Sequence, residues 1–198
     1  FACGECSGNY MGANRLAGSA LANTQTMGAQ TGKHAASVAK DTPKPTISPR
    51  VLEKGRDVAY AFFKKKRNPV SAQKVKEQIR KVVGDYVAPI RNAEGLNTAL
   101  KELRRIKSKL IPNITIPVGV KYNLEWVDAL EANLMVDTAE LTVGCALLRT
   151  ESRGHHFRLE YPETNDKEWL KHTAVRMRGG KPFYFTRPVI FTKMPPGA

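Results

Sequence analysis

Apolar side chains recur every three or four residues through most of the chain, which is the spacing of an amphipathic helix. Four such series follow one another, and the first two begin at a Ser-Pro and an Asn-Pro pair, at residues 48–49 and 68–69. The series are Val51, Val58 and Phe62; Val75, Ile79, Val82 and Tyr86; Leu96, Leu100, Leu103, Ile106 and Leu110; and Leu124, Val127, Leu130, Leu134, Leu141, Cys145 and Leu148. Because short connections join them, we predict a bundle of antiparallel helices, the last one ended by Gly154.

The two ends of the chain show other patterns. Residues 1–3 predict a short apolar strand, and Asn14 is the predicted N-cap of a small-residue helix over 14–38. Residues 172–177 and 183–191 predict a β-hairpin around a Gly-Gly turn. The prolines of residues 41–46 indicate a linker. We therefore predict a first domain over 1–46 and a helical domain over 47–198, with a bundle over 47–154 and a loop and hairpin over 155–198.

The charge of the chain is large and uneven. Its net charge is +14, which by itself suggests a nucleic-acid partner. Residues 47–111 hold 17 basic and 6 acidic residues, so +11 of that charge lies in one helical stretch. A local excess favours a docking face or an anionic partner over a generally basic protein. Three cysteines, an odd number, argue against a disulfide framework, and no apolar run is long enough to span a membrane.

The glycine-rich stretch before the first helix has the strongest candidate chemistry. A glycine-rich turn that leads into a helix start brings backbone N–H groups and a positive dipole end close to a ligand. Arg15 adds a planar cation that suits a carboxylate. Cys3 and Cys6 have the spacing of zinc and redox sites, but no second pair or matching histidines accompany them. We therefore expect an anion or polar cofactor here, and no metal.

Two segments carry a resemblance to a known family. Gly4-Glu5 followed by Gly-Ala-Asn-Arg-Leu at residues 12–16 resembles the late flavin-binding segment of succinate dehydrogenase and fumarate reductase flavoproteins. Residues 151–162 and Trp-Leu-Lys-His-Thr at residues 169–173 resemble the segment that closes the C-terminal domain of that family. The implied fold is mainly α with small β elements: the end of an α/β FAD-binding domain, then a helical bundle and a C-terminal β-hairpin. The dinucleotide-binding Gly-x-Gly-x-x-Gly turn is missing, so we expect the C-terminal part of a larger flavoprotein.

The resemblance also implies roles for individual residues. Glu5 would bind ribose or ribityl hydroxyls of FAD, and Ala20 and Leu21 would offer backbone N–H groups to the flavin pyrimidine edge. Arg15 would hold one carboxylate of a C4 dicarboxylate beside the Gly18 backbone. No catalytic residue is expected within this chain. The family histidine before Gly-Ala-Asn is Met11 here, which leaves the substrate open, and a family glycine is Ala17.

Near the second segment, the sequence predicts buried or half-buried ion pairs of Arg153, Arg158 and Glu160. His156 is predicted to have a structural role there.

The implied parent is an FAD-dependent enzyme that interconverts succinate and fumarate. Its partners would be the remainder of the flavoprotein and an iron–sulfur subunit. The isolated chain is not expected to hold FAD. We expect a cytoplasmic location, or a peripheral one at the inner face of the membrane through partner subunits. Two alternatives remain open: a fragment of L-aspartate oxidase, and a basic helical module that binds nucleic acid or a protein partner. The second leaves the Gly-Ala-Asn-Arg segment unexplained.

Overall fold

A computed structural model describes residues 1–8 and 18–191. The chain divides into two compact units, Phe1–Leu52 and Glu53–Ala198. The sequence-based boundary after residue 46 stays a prediction. No helix among the described residues is long and apolar enough to cross a membrane.

The first unit contains a 3-10 turn, Gly4–Cys6, and one long helix, α1 (Ser19–Asp41). Gly18 precedes α1 with a φ of 86°, a left-handed conformation that glycine adopts without steric cost. Gly18 was predicted inside the helix and instead forms its N-cap, while Asn14 lies outside the described residues. The strand predicted over residues 1–3 is wrong. A strand requires a hydrogen-bonded neighbour, and the described residues supply none for it.

Helix α2 (Pro49–Tyr60) leads into a 3-10 turn, Ala61–Phe63. Helices α3 (Ala72–Tyr86), α4 (Ala93–Arg105) and α5 (Leu124–Leu148) form the bundle. Each of these three begins at a side-chain cap that accepts a backbone N–H: Ser71, Asn92 and Asn123. A π turn, Ile106–Leu110, extends α4. The predicted end of α5 at Gly154 is wrong, because the backbone becomes extended at Arg149.

Helix α5 packs against both α3 and α4. The buried apolar residues include Val75, Ile79, Leu96, Ala99, Leu103, Ile106, Ala129, Ala132, Val136 and Val143. Ion pairs join the same helices. Lys76 of α3 contacts Asp128 at 2.6 Å and Glu131 at 2.5 Å. Arg104 and Lys107 each approach Glu140 of α5 at 3.0 Å. Acidic groups of α5 therefore neutralise part of the positive charge of residues 47–111.

The predicted buried face of α5 is only partly right: Leu130 packs against the core, but other residues of the predicted series do not. Leu124 and Leu134 are 76% and 65% exposed, whereas Ala129, Ala132 and Val136 are fully buried. Small side chains allow α5 to approach two neighbouring helices at once, and a leucine stripe would hold them apart. Leu124 and Leu134 therefore lie on the outer face of the helix, whereas Leu130 remains packed against the core.

Two small sheets complete the fold. Strand β1 (Ile90–Arg91) pairs in parallel with β2 (Phe157–Arg158). A one-turn helix, α6 (Asp166–Trp169), precedes the antiparallel strands β3 (Lys171–Arg178) and β4 (Lys181–Pro188). Gly179 and Gly180 form the turn with φ values of 56° and 76°, as in a type I′ turn. The predicted C-terminal hairpin and the mainly helical fold class are confirmed.

Candidate functional site

The N-terminal segment brings Glu5 close to the start of α1. Gly4 has a φ of 74°, and a methyl group on it would lie 3.4 Å from the Thr24 side chain of α1. Ser7 donates to the Gly4 carbonyl from its N–H at 3.0 Å and from its hydroxyl at 2.6 Å. Thr24 in turn donates to the Ala20 carbonyl at 2.8 Å. The exposed Glu5 carboxylate therefore lies on a turn packed against the first turns of α1.

The other predicted ligand residues have different surroundings. Gly18 is exposed, Ala20 is half-buried and the Leu21 side chain is 69% exposed. The Leu21 N–H donates to the Gly18 carbonyl at 3.2 Å. Because the Leu21 N–H already has this acceptor, Ala20 is the better placed of the two predicted donors. Arg15, together with Met11 and Ala17, lies outside the described residues.

No metal site accompanies this segment within residues 1–8 and 18–191, where no group of three or more His, Cys, Asp or Glu side chains could hold a metal ion. Cys3 and Cys6 are both free thiols, and the Cys6 thiol donates to the Cys3 carbonyl at 3.0 Å.

A second cluster of polar side chains surrounds Glu151 just beyond α5. Glu151 is fully buried and accepts from Arg153 at 2.9 and 3.0 Å, from the Asn165 N–H at 2.8 Å, and from Arg149. Burial by itself would raise the pKa of Glu151, yet these hydrogen bonds outweigh it and hold the pKa below its ordinary value. Arg153 also contacts Asp166 at 2.6 Å. The cluster ties the end of α5 to α6.

The Arg158 side chain caps the C-terminal end of α5. It is buried and donates to the carbonyls of Ala146 at 2.9 Å and Arg149 at 3.1 Å, groups that a helix end leaves without intrahelical donors. It also pairs with Glu160 at 3.3 Å, and Glu160 accepts the Ala93 N–H at the start of α4. The predicted pairs of Arg153, Arg158 and Glu160 are confirmed.

His156 lies between two arginines. Its Nδ1 is 3.3 Å from Arg91 Nη1, and its Nε2 is 3.3 Å from the Arg149 carbonyl. Because a guanidinium only donates, Nδ1 accepts, and the ring proton is on Nε2. Burial lowers the pKa of His156 to about 4, and the charges of Arg91, Arg158 and Arg149 act in the same direction. His156 is therefore neutral near pH 7, and these contacts fit its predicted structural role.

Sequence reasoning missed Arg91 and Arg149. Arg91 lies on the two-residue strand β1, and Arg149 follows the last turn of α5. No periodic pattern or motif marks either residue. Only the pairing of β1 with β2, across 67 positions of sequence, brings Arg91 to the cluster (Ile90 pairs with Phe157).

Comparison with known proteins assigns a family. The family described as Fumarate reductase flavoprotein C-term matches residues 76–198. The chain belongs to this family. The Glu151 cluster, Arg91 and His156 all lie inside the matched residues of the flavoprotein family, whereas Glu5, Arg15, Gly18, Ala20 and Leu21 precede them. The resemblance to succinate dehydrogenase and fumarate reductase flavoproteins is confirmed.

Individual relatives support the same family assignment. An uncharacterised FAD-dependent oxidoreductase of Methanocaldococcus jannaschii is 35% identical, over 94% of this chain and 32% of the relative. A fumarate reductase (CoM/CoB) subunit of Methanothermobacter marburgensis is 31% identical, over 86% of this chain and 30% of the relative. The structure of Mycobacterium smegmatis Sdh1 in complex with UQ1 matches with a TM-score of 0.89 and 30% identity, covering 96% of this chain and 32% of that chain. The chain thus spans about a third of the length of these relatives.

Proposed function

We propose that this chain serves as the C-terminal region of an FAD-dependent flavoprotein subunit that interconverts succinate and fumarate. Membership of the fumarate reductase flavoprotein C-terminal family over residues 76–198 is the observation that supports it most. The similarity to a fumarate reductase subunit of M. marburgensis supports the same reaction. An iron–sulfur subunit is the proposed partner, and through it the protein would lie in the cytoplasm or at the inner face of a membrane.

The N-terminal segment fits part of FAD. An exposed carboxylate at Glu5 can accept hydrogen bonds from ribose or ribityl hydroxyls, and the turn at Gly4 holds it against α1. The start of α1 offers first-turn backbone N–H groups and the positive end of a helix dipole, which suit the negative charge of a reduced flavin. Ala20 is small enough for a planar ring to come close. FAD, when bound, accepts or delivers the hydride exchanged with the dicarboxylate.

Arg15 and Gly18 are the proposed substrate residues. A guanidinium binds a carboxylate through two parallel N–H donors, which orients the dicarboxylate as well as attracting it. The Gly18 backbone, at φ 86° and exposed, would lie beside that carboxylate. The proton for the reaction would come from residues outside this chain.

The basic-module alternative is weakened by the ion pairs of the bundle. Lys76, Lys81, Arg104, Arg105 and Lys107 all pair with carboxylates of the chain itself. Cations that already have intramolecular partners contribute less to phosphate binding. The L-aspartate oxidase alternative differs from the proposal in its substrate. An activity assay with L-aspartate therefore tests it.

Arg15→Lys in the complete flavoprotein tests the proposal. Lysine keeps the charge but loses the planar fork, so we expect kcat/KM for fumarate and succinate to fall about 100-fold or more, with flavin content unchanged. Glu5→Ala should instead lower flavin retention first. Arg50→Lys, the same change at an exposed arginine of α2, is the matched control. Near-normal turnover in the Arg15→Lys enzyme, or turnover of L-aspartate in place of succinate, would show the substrate assignment to be wrong.

A further inference from the structure

The arginine cluster beyond α5 contains one cation more than its carboxylates neutralise. Arg149 and Arg153 pair with Glu151, Arg153 also pairs with Asp166, and Arg158 pairs with Glu160. The fourth arginine, Arg91, is half-buried. Within residues 1–8 and 18–191 no carboxylate pairs with it. A partly buried charge without a counterion is costly, which makes Arg91 a candidate for binding an anion from outside the chain.

The guanidinium of Arg91 has more N–H donors than its contacts within the chain use. Its Nε donates to the Ala88 carbonyl at 3.1 Å, its Nη1 to His156 at 3.3 Å, and its Nη2 to the His155 carbonyl at a long 3.5 Å. Each terminal nitrogen carries two hydrogens, so one on each remains after these contacts. Burial and the neighbouring Arg158 lower the pKa of Arg91, an effect that a bound anion would offset.

Arg91 lines an open pocket of about 410 Å³. Arg149 and His156 line it as well, and the other lining residues come from α5 and β3, with Leu141, Ala146 and Val175 among the apolar ones. Thr138 and Thr142 also line a mostly apolar groove of about 670 Å³ between α3 and α5. An apolar cavity with a few convergent polar groups is the usual form of a small-molecule site.

We propose that this pocket binds a small monocarboxylate with an apolar body, its carboxylate on Arg91 and its hydrocarbon part against Leu141, Ala146 and Val175. One carboxylate matches the single unpaired charge, whereas a phosphate dianion or a dicarboxylate brings a second negative charge to an apolar wall. The residues that line this pocket belong to the second unit, whereas the proposed flavin and dicarboxylate residues belong to residues 1–52 of the sequence.

Cys145 provides a direct readout, because its half-buried thiol lines the same pocket. The rate of its alkylation by N-ethylmaleimide at pH 8 can be followed peptide by peptide in the full chain, with acetate, butyrate or hexanoate added. At ten times Kd a ligand should slow the reaction about tenfold. Affinity should rise about fourfold for each added methylene. Cys6, exposed and in the other unit, is the internal control and should react at an unchanged rate.

Two probes and three variants sharpen the test. Succinate and 1-hexanol should protect Cys145 less than hexanoate does. Succinate carries a second negative charge, and 1-hexanol carries no charge to pair with Arg91.

Arg91→Gln should weaken hexanoate binding about 10- to 100-fold. Arg67→Gln, the same change at an exposed arginine, should leave hexanoate binding unaltered. Thr142→Trp fills the pocket from an exposed position and tests the site even if Arg91→Gln fails to fold. Equal protection by 1-hexanol, unchanged affinity in Arg91→Gln or in Thr142→Trp, or equal slowing of Cys6 would overturn the proposal. None of these results depends on flavin or on turnover.

Discussion

The helices of the two units differ in how far their side chains are buried. No residue of α1 in the first unit is buried, and Leu21 there is largely exposed. In the second unit α3, α4 and α5 bury a continuous apolar core, with Leu103 fully inaccessible. The first unit carries the residues proposed to bind FAD and the dicarboxylate, and the second carries the packing that stabilises a fold. The proposed flavin chemistry and the intrinsic stability therefore belong to different units, and each can be tested without the other.

The largest expected effect is that of Leu103→Ala. Removing a fully buried leucine side chain leaves a cavity in a close-packed core, so the free energy of unfolding should fall by about 2–5 kcal/mol. The matched change Leu21→Ala, in the first unit, should alter it by less than about 0.5 kcal/mol. Urea unfolding followed by circular dichroism measures both. Similar losses from both substitutions would mean that the two units share one core.

Glycine-to-alanine substitutions should change the free energy of unfolding in opposite directions in the two units. A methyl group on Gly144 of α5 would lie 2.1 Å from the Tyr184 ring of β4. Tyr184 would have to move, and we expect Gly144→Ala to cost about 1–2 kcal/mol even though alanine favours the helix.

At Gly32 of α1, no atom of residues 1–8 or 18–191 outside the helix backbone lies within 4 Å of the added methyl group. Gly32→Ala should therefore stabilise α1 by about 0.5–1 kcal/mol and slow hydrogen exchange of its amides about two- to fivefold. Destabilisation by Gly32→Ala would reveal a close neighbour on α1.

The pH dependence of the second unit should contain a contribution from His156. Its pKa is about 4 in the folded chain and about 6.5 in an unfolded one. Between these values the unfolded state binds more protons, so stability falls as the pH falls. The expected loss between pH 7 and pH 5 is about 1–2 kcal/mol.

His156→Gln provides the control for this prediction. Glutamine can accept from Arg91 and donate to the Arg149 carbonyl, but it does not titrate in this range. Its stability should therefore change less between pH 7 and pH 5, measured by urea unfolding at each pH. Parallel curves for the two proteins would assign the loss to other groups.

The smallest effect is expected from removing residues 1–46. Since no residue of α1 is buried, a chain of residues 47–198 should melt cooperatively within a few degrees of the full chain. Differential scanning calorimetry of both chains gives the comparison. A broad transition without cooperativity would show that the bundle depends on the N-terminal residues, and would also contradict the boundary predicted from the prolines.

The sequence alone determined the features that depend on neighbouring residues. Spacings of three and four located helices α2 to α5, because helical periodicity is a local property of the chain. The Gly-Gly pair fixed the hairpin, since both turn residues need a positive φ. The motifs around Glu5, Arg15 and residues 151–162 identified the flavoprotein family, and they also predicted the ion pairs of Arg153 and Arg158.

Only the tertiary structure decided the features that depend on distant residues. The buried face of α5 consists of alanine and valine, because two neighbouring helices approach it closely, and hydrophobicity along one helix cannot show this. The end of α5 at Arg149 depends on a residue further along the chain, because the Arg158 guanidinium donates to the carbonyls of Ala146 and Arg149. Arg91 meets His156 only through the pairing of β1 with β2. That no carboxylate of residues 1–8 and 18–191 pairs with Arg91 could be recognised only once the carboxylates of the cluster had been assigned to the other arginines.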